Sequence, residues 1–112
     1  MTKDPRIFVE HILESINYIE RYIESVDRAG FLEDQQLQDS VLRRLEIIGE
    51  AVKNLPDVFK KQHKDIPWRS IAGMRDILIH EYFGLDIFQV WNTIQKELPD
   101  LKKKLEKISF GH

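Results

Sequence analysis

The sequence predicts an all-α protein, an antiparallel bundle of four main helices with one additional short helix. Apolar residues recur every three or four positions along nearly the whole chain, which is the period of one face of an α-helix. The 112 residues include only five glycines and four prolines, too few for the many turns of a β architecture. A chain of this length is expected to form one domain over residues 1–112, and its short connections favour antiparallel neighbours.

The first helix has a typical start signal. Asp4 and Pro5 combine an N-cap side chain with a proline at the first helical position. The apolar stripe that follows predicts a helix over residues 5–28, and Gly30 is expected to stop it.

A second helix follows and ends at a proline. Its stripe begins after Asp34 and stops at the Leu55-Pro56 step, because the residue before a proline disfavours the α conformation. The expected span is 35–54. Residues 57–63 are expected to add one or two short helical turns.

Two further helices complete the predicted bundle. Pro67 is expected to begin a helix that runs to about Phe83, where a glycine follows. Asp86 is expected to cap the final helix. Pro99 lies inside the apolar stripe of that helix and should kink it, because it removes a backbone donor and clashes with the preceding turn.

Composition and charge exclude several classes of protein. Seventeen Lys and Arg against nineteen Asp and Glu give a net charge of −2, so any nucleic-acid site has to be a local cluster. The absence of cysteine excludes disulfides, thiolate metal sites and a cysteine nucleophile. No apolar run approaches the roughly 20 residues that span a bilayer, and a signal-peptide pattern is lacking. We expect a cytoplasmic protein with no cofactor and no metal, whose site lies in a groove or between subunits.

The third helix departs from a simple amphipathic pattern at Arg75. At about 100° per residue, its neighbours within roughly 80° are apolar or aromatic, so the guanidinium lies at the centre of that face. An arginine is almost never buried without a partner. In a structural interpretation, Arg75 pairs with Glu46 or Glu50 of the second helix, or its head group reaches the edge of the apolar face. In a functional interpretation, it faces a solvent-filled groove and binds an anion. The residues alone leave these two interpretations open.

His80 is the second candidate on this helix. It lies about 140° around the helix from Arg75, so a regular helix does not place the two side by side. Either the long arginine bends around the helix, or a second subunit supplies the missing partner across a two-fold axis. The helix dipole and Asp76, four residues earlier, favour the imidazolium. An ionisable histidine near an arginine is the minimum equipment for general acid–base chemistry on a phosphodiester.

The segment from Met74 to Tyr82 resembles the Arg-x4-His-x-Tyr signature of HEPN domains. The resemblance is to the HepT-like toxins, each of which pairs with a minimal nucleotidyltransferase. The preceding residues 68–74, the following residues 84–86 and the second-helix segment 45–51 are similar to that family as well. The resemblance covers essentially the whole chain.

The resemblance implies a homodimer with a composite, metal-independent endoribonuclease site. Two pairs of Arg75 and His80 would converge there, which would also account for their 140° separation on one helix. His80 would assist proton transfer while a 2′-hydroxyl attacks the adjacent phosphorus, and Arg75 would stabilise charge on the phosphoryl oxygens. The product would carry a 2′,3′-cyclic phosphate, and the RNA would be a transfer or messenger RNA.

The resemblance also implies a partner that silences the toxin, as in a type VII-like toxin–antitoxin pair. Tyr82 is similar to the family tyrosine to which a nucleotidyltransferase antitoxin adds AMP. It lies about 20° from Arg75 on the same helical face. The added anion would occupy the groove that the RNA phosphate needs.

Other residues receive supporting interpretations. Asp76 orients His80 or forms a simple surface pair with it. Glu46 and Glu50 are candidate partners of Arg75, or are merely solvated. The basic cluster of the final helix is either a solvated face or a track for RNA backbone. Its members are Lys102, Lys103, Lys104 and Lys107.

Two alternatives to a ribonuclease remain open. The first is a non-catalytic HEPN interaction module that supports a nucleotidyltransferase, which the weak overall charge favours. The second is a purely structural role in which Arg75 forms an interface ion pair.

Overall fold

A computed structural model describes residues 4–73, 86–108 and 110. These parts of the chain are helical, with no strand among them. The helices, labelled α1 to α7, have the following bounds: α1 Pro5–Tyr22, α2 Arg28–Glu33, α3 Gln35–Asn54, α4 Asp57–Gln62, α5 from residue 68 and described to 73, α6 Ile87–Asn92 and α7 Leu98–Glu106, with a π-helical turn Thr93–Glu97 between the last two. The predicted all-α class is confirmed.

The core forms where α1 packs against the antiparallel α3. The guanidinium carbon of Arg44, near the middle of α3, lies 4.1 Å from the ring centroid of Tyr18, near the end of α1. Phe8, near the start of α1, shares a groove with Asn54, the last residue of α3. Helix α7 also packs against α1, and α2 contacts both α3 and α6.

The apolar stripes that the sequence predicts supply this core. Ile12, Ile16, Val41 and Ile48 are fully buried. Leu101 and Leu105 of α7 are buried in the same core. Burial of side chains of this size stabilises the fold by roughly 1.5–3 kcal/mol each.

The predicted end of the first helix is wrong. Helix α1 ends at Tyr22, and a new helix, α2, begins at Arg28. The cause is Asp27, whose carboxylate accepts a hydrogen bond of 2.8 Å from the backbone N–H of Gly30 and so caps α2. Gly30 is therefore inside a helix and does not stop one. A Cβ at Gly30 would lie 3.1 Å from the Asp27 carboxylate oxygen, so the glycine leaves room for the cap.

The second predicted helix is confirmed at both ends. The carboxylate of Asp34 accepts a hydrogen bond of 3.0 Å from the backbone N–H of Leu37, and α3 ends at Asn54, ahead of the Leu55-Pro56 step. The short helix α4 matches the expected turns after position 57.

The final helix begins as predicted and accommodates its proline by changing its helical type. Asp86 accepts hydrogen bonds from the backbone N–H groups of Phe88 and Gln89. The kink predicted at Pro99 stays a prediction; a π-helical turn lies directly before α7, and the proline lies in the first turn of α7. The backbone N–H of Leu98 donates to the carbonyl of Thr93, five residues earlier, so the π-helical turn continues into α7.

Gln38 ties the extra helix α2 to α3. It is 9% exposed, and its side-chain amide donates hydrogen bonds to the backbone carbonyls of Phe31 at 2.9 Å and Leu32 at 3.1 Å.

Gln38→Ala is expected to lower the free energy of unfolding by about 1–2 kcal/mol, because two carbonyls at the end of α2 lose their donor. Chemical denaturation measures this, with the exposed Gln36→Ala as the matched control. Equal losses in the two variants would contradict the assigned role.

Candidate functional site

The predicted catalytic segment lies largely outside the described residues. Arg75, Asp76, His80 and Tyr82 all belong to the stretch 74–85. Their roles therefore stay predictions. The structure describes the start of the helix that leads to them and the surfaces around that start.

Trp68 anchors the start of α5 in the core. Its indole N–H donates hydrogen bonds to the backbone carbonyls of Lys60, at 3.2 Å, and His63, at 2.9 Å. Its ring centroid lies 6.1 Å from that of Phe59, which in turn stacks on Phe110. Because the side chain is buried and its polar group is bonded, Trp68 is a structural anchor that ties α4 to α5.

Glu46 and Glu50 line a groove of about 330 Å³ between α1 and α3. His11 and Arg43 lie in the same groove. A carboxylate oxygen of Glu46 lies 3.6 Å from a guanidinium nitrogen of Arg43, so the charge of Glu46 already has a partner on its own helix. Contact of either glutamate with Arg75 stays a prediction.

The lysines of α7 divide into two kinds. Nζ of Lys102 donates a hydrogen bond of 2.7 Å to a carboxylate oxygen of Glu20 on α1, and this bond raises the pKa of the lysine. Lys104 lies 3.2 Å from a carboxylate oxygen of Asp100 and donates a hydrogen bond of 3.0 Å to the backbone carbonyl of Asp65. Lys103 and Lys107 are exposed. Half of the predicted basic cluster therefore also connects α7 to its neighbours.

A larger groove, of about 660 Å³, adjoins the start of α5. We call it the α3–α5 groove. Among the described residues, its charged lining consists of five cations and one carboxylate: Lys53, Lys60, Lys61, Lys64, Arg69 and Asp57. It extends along α5 to Ala72 and Gly73, directly before the predicted catalytic segment. The sequence offers a signal for this cluster in the close spacing of Lys60, Lys61 and Lys64, but the prediction singled out the lysines of the final helix instead.

The described ranges contain neither a cluster of metal-ligating side chains nor a helix that could span a membrane. Among residues 4–73, 86–108 and 110, no three His, Asp or Glu side chains are grouped so that they could hold a metal ion. None of the helices within those ranges combines the length and apolar character required to cross a bilayer.

The fold and the comparisons together define the class of protein. Residues 12–108 match the HepT-like family, which is described as "Ribonuclease HepT-like". The chain belongs to this HEPN-type ribonuclease family. The family prediction is thereby confirmed.

Individual relatives agree with that assignment. A protein named "Gamma-glutamylcyclotransferase and putative RNase" from Methanocaldococcus jannaschii is 48% identical over 96% of this chain, which spans about half, 49%, of that relative. A "Putative RNase" from Caldanaerobacter subterraneus subsp. tengcongensis is 46% identical over 95% of each chain. A "Probable ribonuclease HepT" from Thermococcus cleftensis is 45% identical over 96% of this chain and 98% of its own. No solved structure matches the chain.

Proposed function

We propose that this chain is a metal-independent endoribonuclease toxin that cleaves a transfer or messenger RNA in the cytoplasm. The observation that carries the proposal is the intact Arg-x4-His-x-Tyr segment, Arg75 to Tyr82, inside a match to a ribonuclease family over residues 12–108. The names of the relatives support the same reaction class. The proposed unit is a single domain over residues 1–112.

The reaction uses the RNA's own 2′-hydroxyl as nucleophile. Its oxygen forms a bond to the adjacent phosphorus while the bond from phosphorus to the 5′-oxygen breaks. His80 takes part in the proton transfers, in which the 2′-hydroxyl loses a proton and the leaving 5′-oxygen gains one. Arg75 stabilises the negative charge that accumulates on the phosphoryl oxygens. The products are a 2′,3′-cyclic phosphate and a 5′-hydroxyl.

The active site is shared by two subunits of a homodimer. The helical positions of Arg75 and His80 differ by about 140°, so one regular helix does not direct both at one phosphate. A two-fold axis brings the second copy of the segment opposite the first. Asp76 orients His80, and Glu46 and Glu50 support Arg75. The exposed Lys103 and Lys107, with Lys102 and Lys104 beside them, contact RNA backbone at the edge of the site.

A nucleotidyltransferase antitoxin silences the toxin by adding AMP to Tyr82. The tyrosine oxygen forms a bond to the α-phosphorus of ATP, and pyrophosphate leaves. The modified side chain places a bulky anion near Arg75, where it competes with the RNA phosphate. The two proteins thus form a toxin–antitoxin pair of the type VII kind.

Cleavage in the presence of a chelator tests the proposal. Purified protein is expected to cleave RNA in excess EDTA and to leave 2′,3′-cyclic phosphate ends. His80→Ala is expected to lower the rate by about 10²–10⁴-fold, because that is the usual contribution of general acid–base catalysis. The matched control is His63→Ala, whose ring packs against Phe59 at 4.7 Å. Equal cleavage by wild type and His80→Ala, or none by wild type across varied RNAs, would remove this function.

A non-catalytic interaction module is the second candidate function. It is favoured by the net charge of −2 and by the ion pairs that already engage Lys102 and Lys104. Under this function, His80→Ala leaves the activity of the nucleotidyltransferase complex intact. Substitutions on the surface that contacts the nucleotidyltransferase abolish complex formation instead.

A further inference from the structure

The α3–α5 groove joins cations from four consecutive parts of the chain, all within residues 53–69. Lys53 comes from the last turn of α3, Lys60 and Lys61 from the last turn of α4, Lys64 from the loop that follows and Arg69 from the first turn of α5. They line one groove because the short helix α4 connects α3 to α5. One groove thus collects almost a third of the chain's 17 basic residues.

The charge of the groove is opposite in sign to that of the whole protein. Among the residues that the structure describes, five cations and one carboxylate line it, whereas the chain carries a net charge of −2. Lys60 lies 3.9 Å from the Asp57 carboxylate, a loose pair with an 89% exposed acid. Lys61, Lys64 and Arg69 are exposed. A local excess of positive charge attracts a polyanion to this surface even when the net charge does not.

The groove offers little that could read a base. Of the described residues in its lining, Trp68 is the aromatic one, and its ring is buried and its indole N–H is bonded to two backbone carbonyls. These described residues therefore offer a base no exposed aromatic face. Lysine and arginine side chains bind phosphate oxygens without regard to sequence. The groove suits a phosphate backbone.

The groove is also positioned beside the predicted catalytic segment. Its lining extends along α5 to Gly73, two residues before Arg75. Among the described residues, a Cβ at Gly73 would meet nothing within 4 Å. A strand of RNA bound in the groove would thus contact residues that come just before Arg75 in the chain.

We propose that the α3–α5 groove binds the phosphate backbone of the substrate RNA and holds the strand at the catalytic segment. The proposal rests on the proposed ribonuclease function for the identity of the polyanion. It assigns the main electrostatic contact to Lys60, Lys61, Lys64 and Arg69. The lysines of α7 then act as a secondary surface.

Binding of an uncleavable RNA tests the groove separately from catalysis. The probe is a fluorescent single-stranded RNA in which every 2′-hydroxyl is methylated, so that the proposed nucleophile is absent. Lys61→Gln/Lys64→Gln is expected to weaken binding roughly tenfold at low salt. It should also make the slope of log affinity against log salt shallower by about 1.4, which is about 0.7 for each lost phosphate contact. Glutamine removes the charge, keeps a polar side chain only slightly shorter than that of lysine, and has a similar helix propensity.

The matched control removes the same charge from another surface. Arg21→Gln/Arg28→Gln loses two positive charges at exposed positions outside the groove, and it is expected to bind like the wild type. Thermal unfolding of both variants shows whether the fold is retained, and Arg69→Gln provides an independent variant of the groove.

The outcomes separate this proposal from the ribonuclease function. Equal binding by the groove variants and the control, or a loss of binding only in Lys103→Gln/Lys107→Gln, would overturn the proposed role of the groove. The ribonuclease function would still stand in that case if the wild type cleaves unmodified RNA. Weaker binding by the groove variants alone supports the groove even if the wild type fails to cleave, and that failure counts against the ribonuclease function only. A wild type that does not bind the probe overturns the groove.

Discussion

Two inactive variants are expected to regain RNA cleavage when they share a dimer. Arg75→Ala and His80→Ala should each lose most of the activity, because each lacks one of the two proposed catalytic groups. In a dimer that contains one copy of each variant, an intact Arg75 from one subunit faces an intact His80 from the other. When the two variants are mixed, random pairing makes about half of the dimers mixed. Each mixed dimer has one intact Arg75–His80 pair of the two that a wild-type dimer contains, so the mixture should recover about a quarter of wild-type activity.

A second mixed dimer contains the same four residues in the opposite arrangement. It pairs a wild-type subunit with the double variant Arg75→Ala/His80→Ala. If the functional pair spans two subunits, both arrangements in this dimer lack one residue, so it should be inactive. The two dimers are purified by different affinity tags on their subunits and assayed with the same RNA; once freed of the inactive homodimers, the first should show about half of wild-type activity. Activity only in the second dimer would contradict a site shared across the interface.

Tyr82→Phe is expected to escape silencing by the nucleotidyltransferase. The substitution removes only the hydroxyl oxygen that would bond to the AMP phosphorus. Wild-type protein co-expressed with the antitoxin should gain the mass of AMP and lose cleavage, whereas Tyr82→Phe should keep its original mass and remain active. Intact-mass spectrometry and the RNA assay measure the two effects.

Another tyrosine provides the control for the modification site. Tyr22, the last residue of α1, is half-buried, and Tyr22→Phe should be modified and silenced like the wild type. Addition of AMP to Tyr82→Phe would show that the nucleotide is carried by another residue. Silencing of Tyr82→Phe without any mass change would indicate inhibition by binding alone.

The sequence predicted helices well wherever local signals and packing agree. Helix α3 has the predicted bounds because Asp34 caps its start and the Leu55-Pro56 step ends it. The end of α1 was missed because the Asp27 carboxylate competes for the backbone N–H of Gly30 and starts a second helix. The apolar stripe continues through that break to Val26, so periodicity alone does not reveal it.

The candidate site was only partly predictable for a different reason. The family signature pointed directly to Arg75, His80 and Tyr82, whose positions lie outside the described residues. The α3–α5 groove has no family signature: Lys60, Lys61 and Lys64 are close in the sequence, but Lys53 and Arg69 join them only when α4 connects α3 to α5. The lysines of α7, which are adjacent in the sequence, were predicted as the basic cluster instead, although two of them form ion pairs.

The hydrogen bonds of Trp68 have a consequence for how an RNA strand would be held. They join the backbone at Lys60 and His63 to the first turn of α5, so the part of the groove that carries Lys60 is attached directly to the start of that helix. Under the proposed function, a phosphate bound by Lys60 would therefore be held next to the beginning of α5 whatever base it carries.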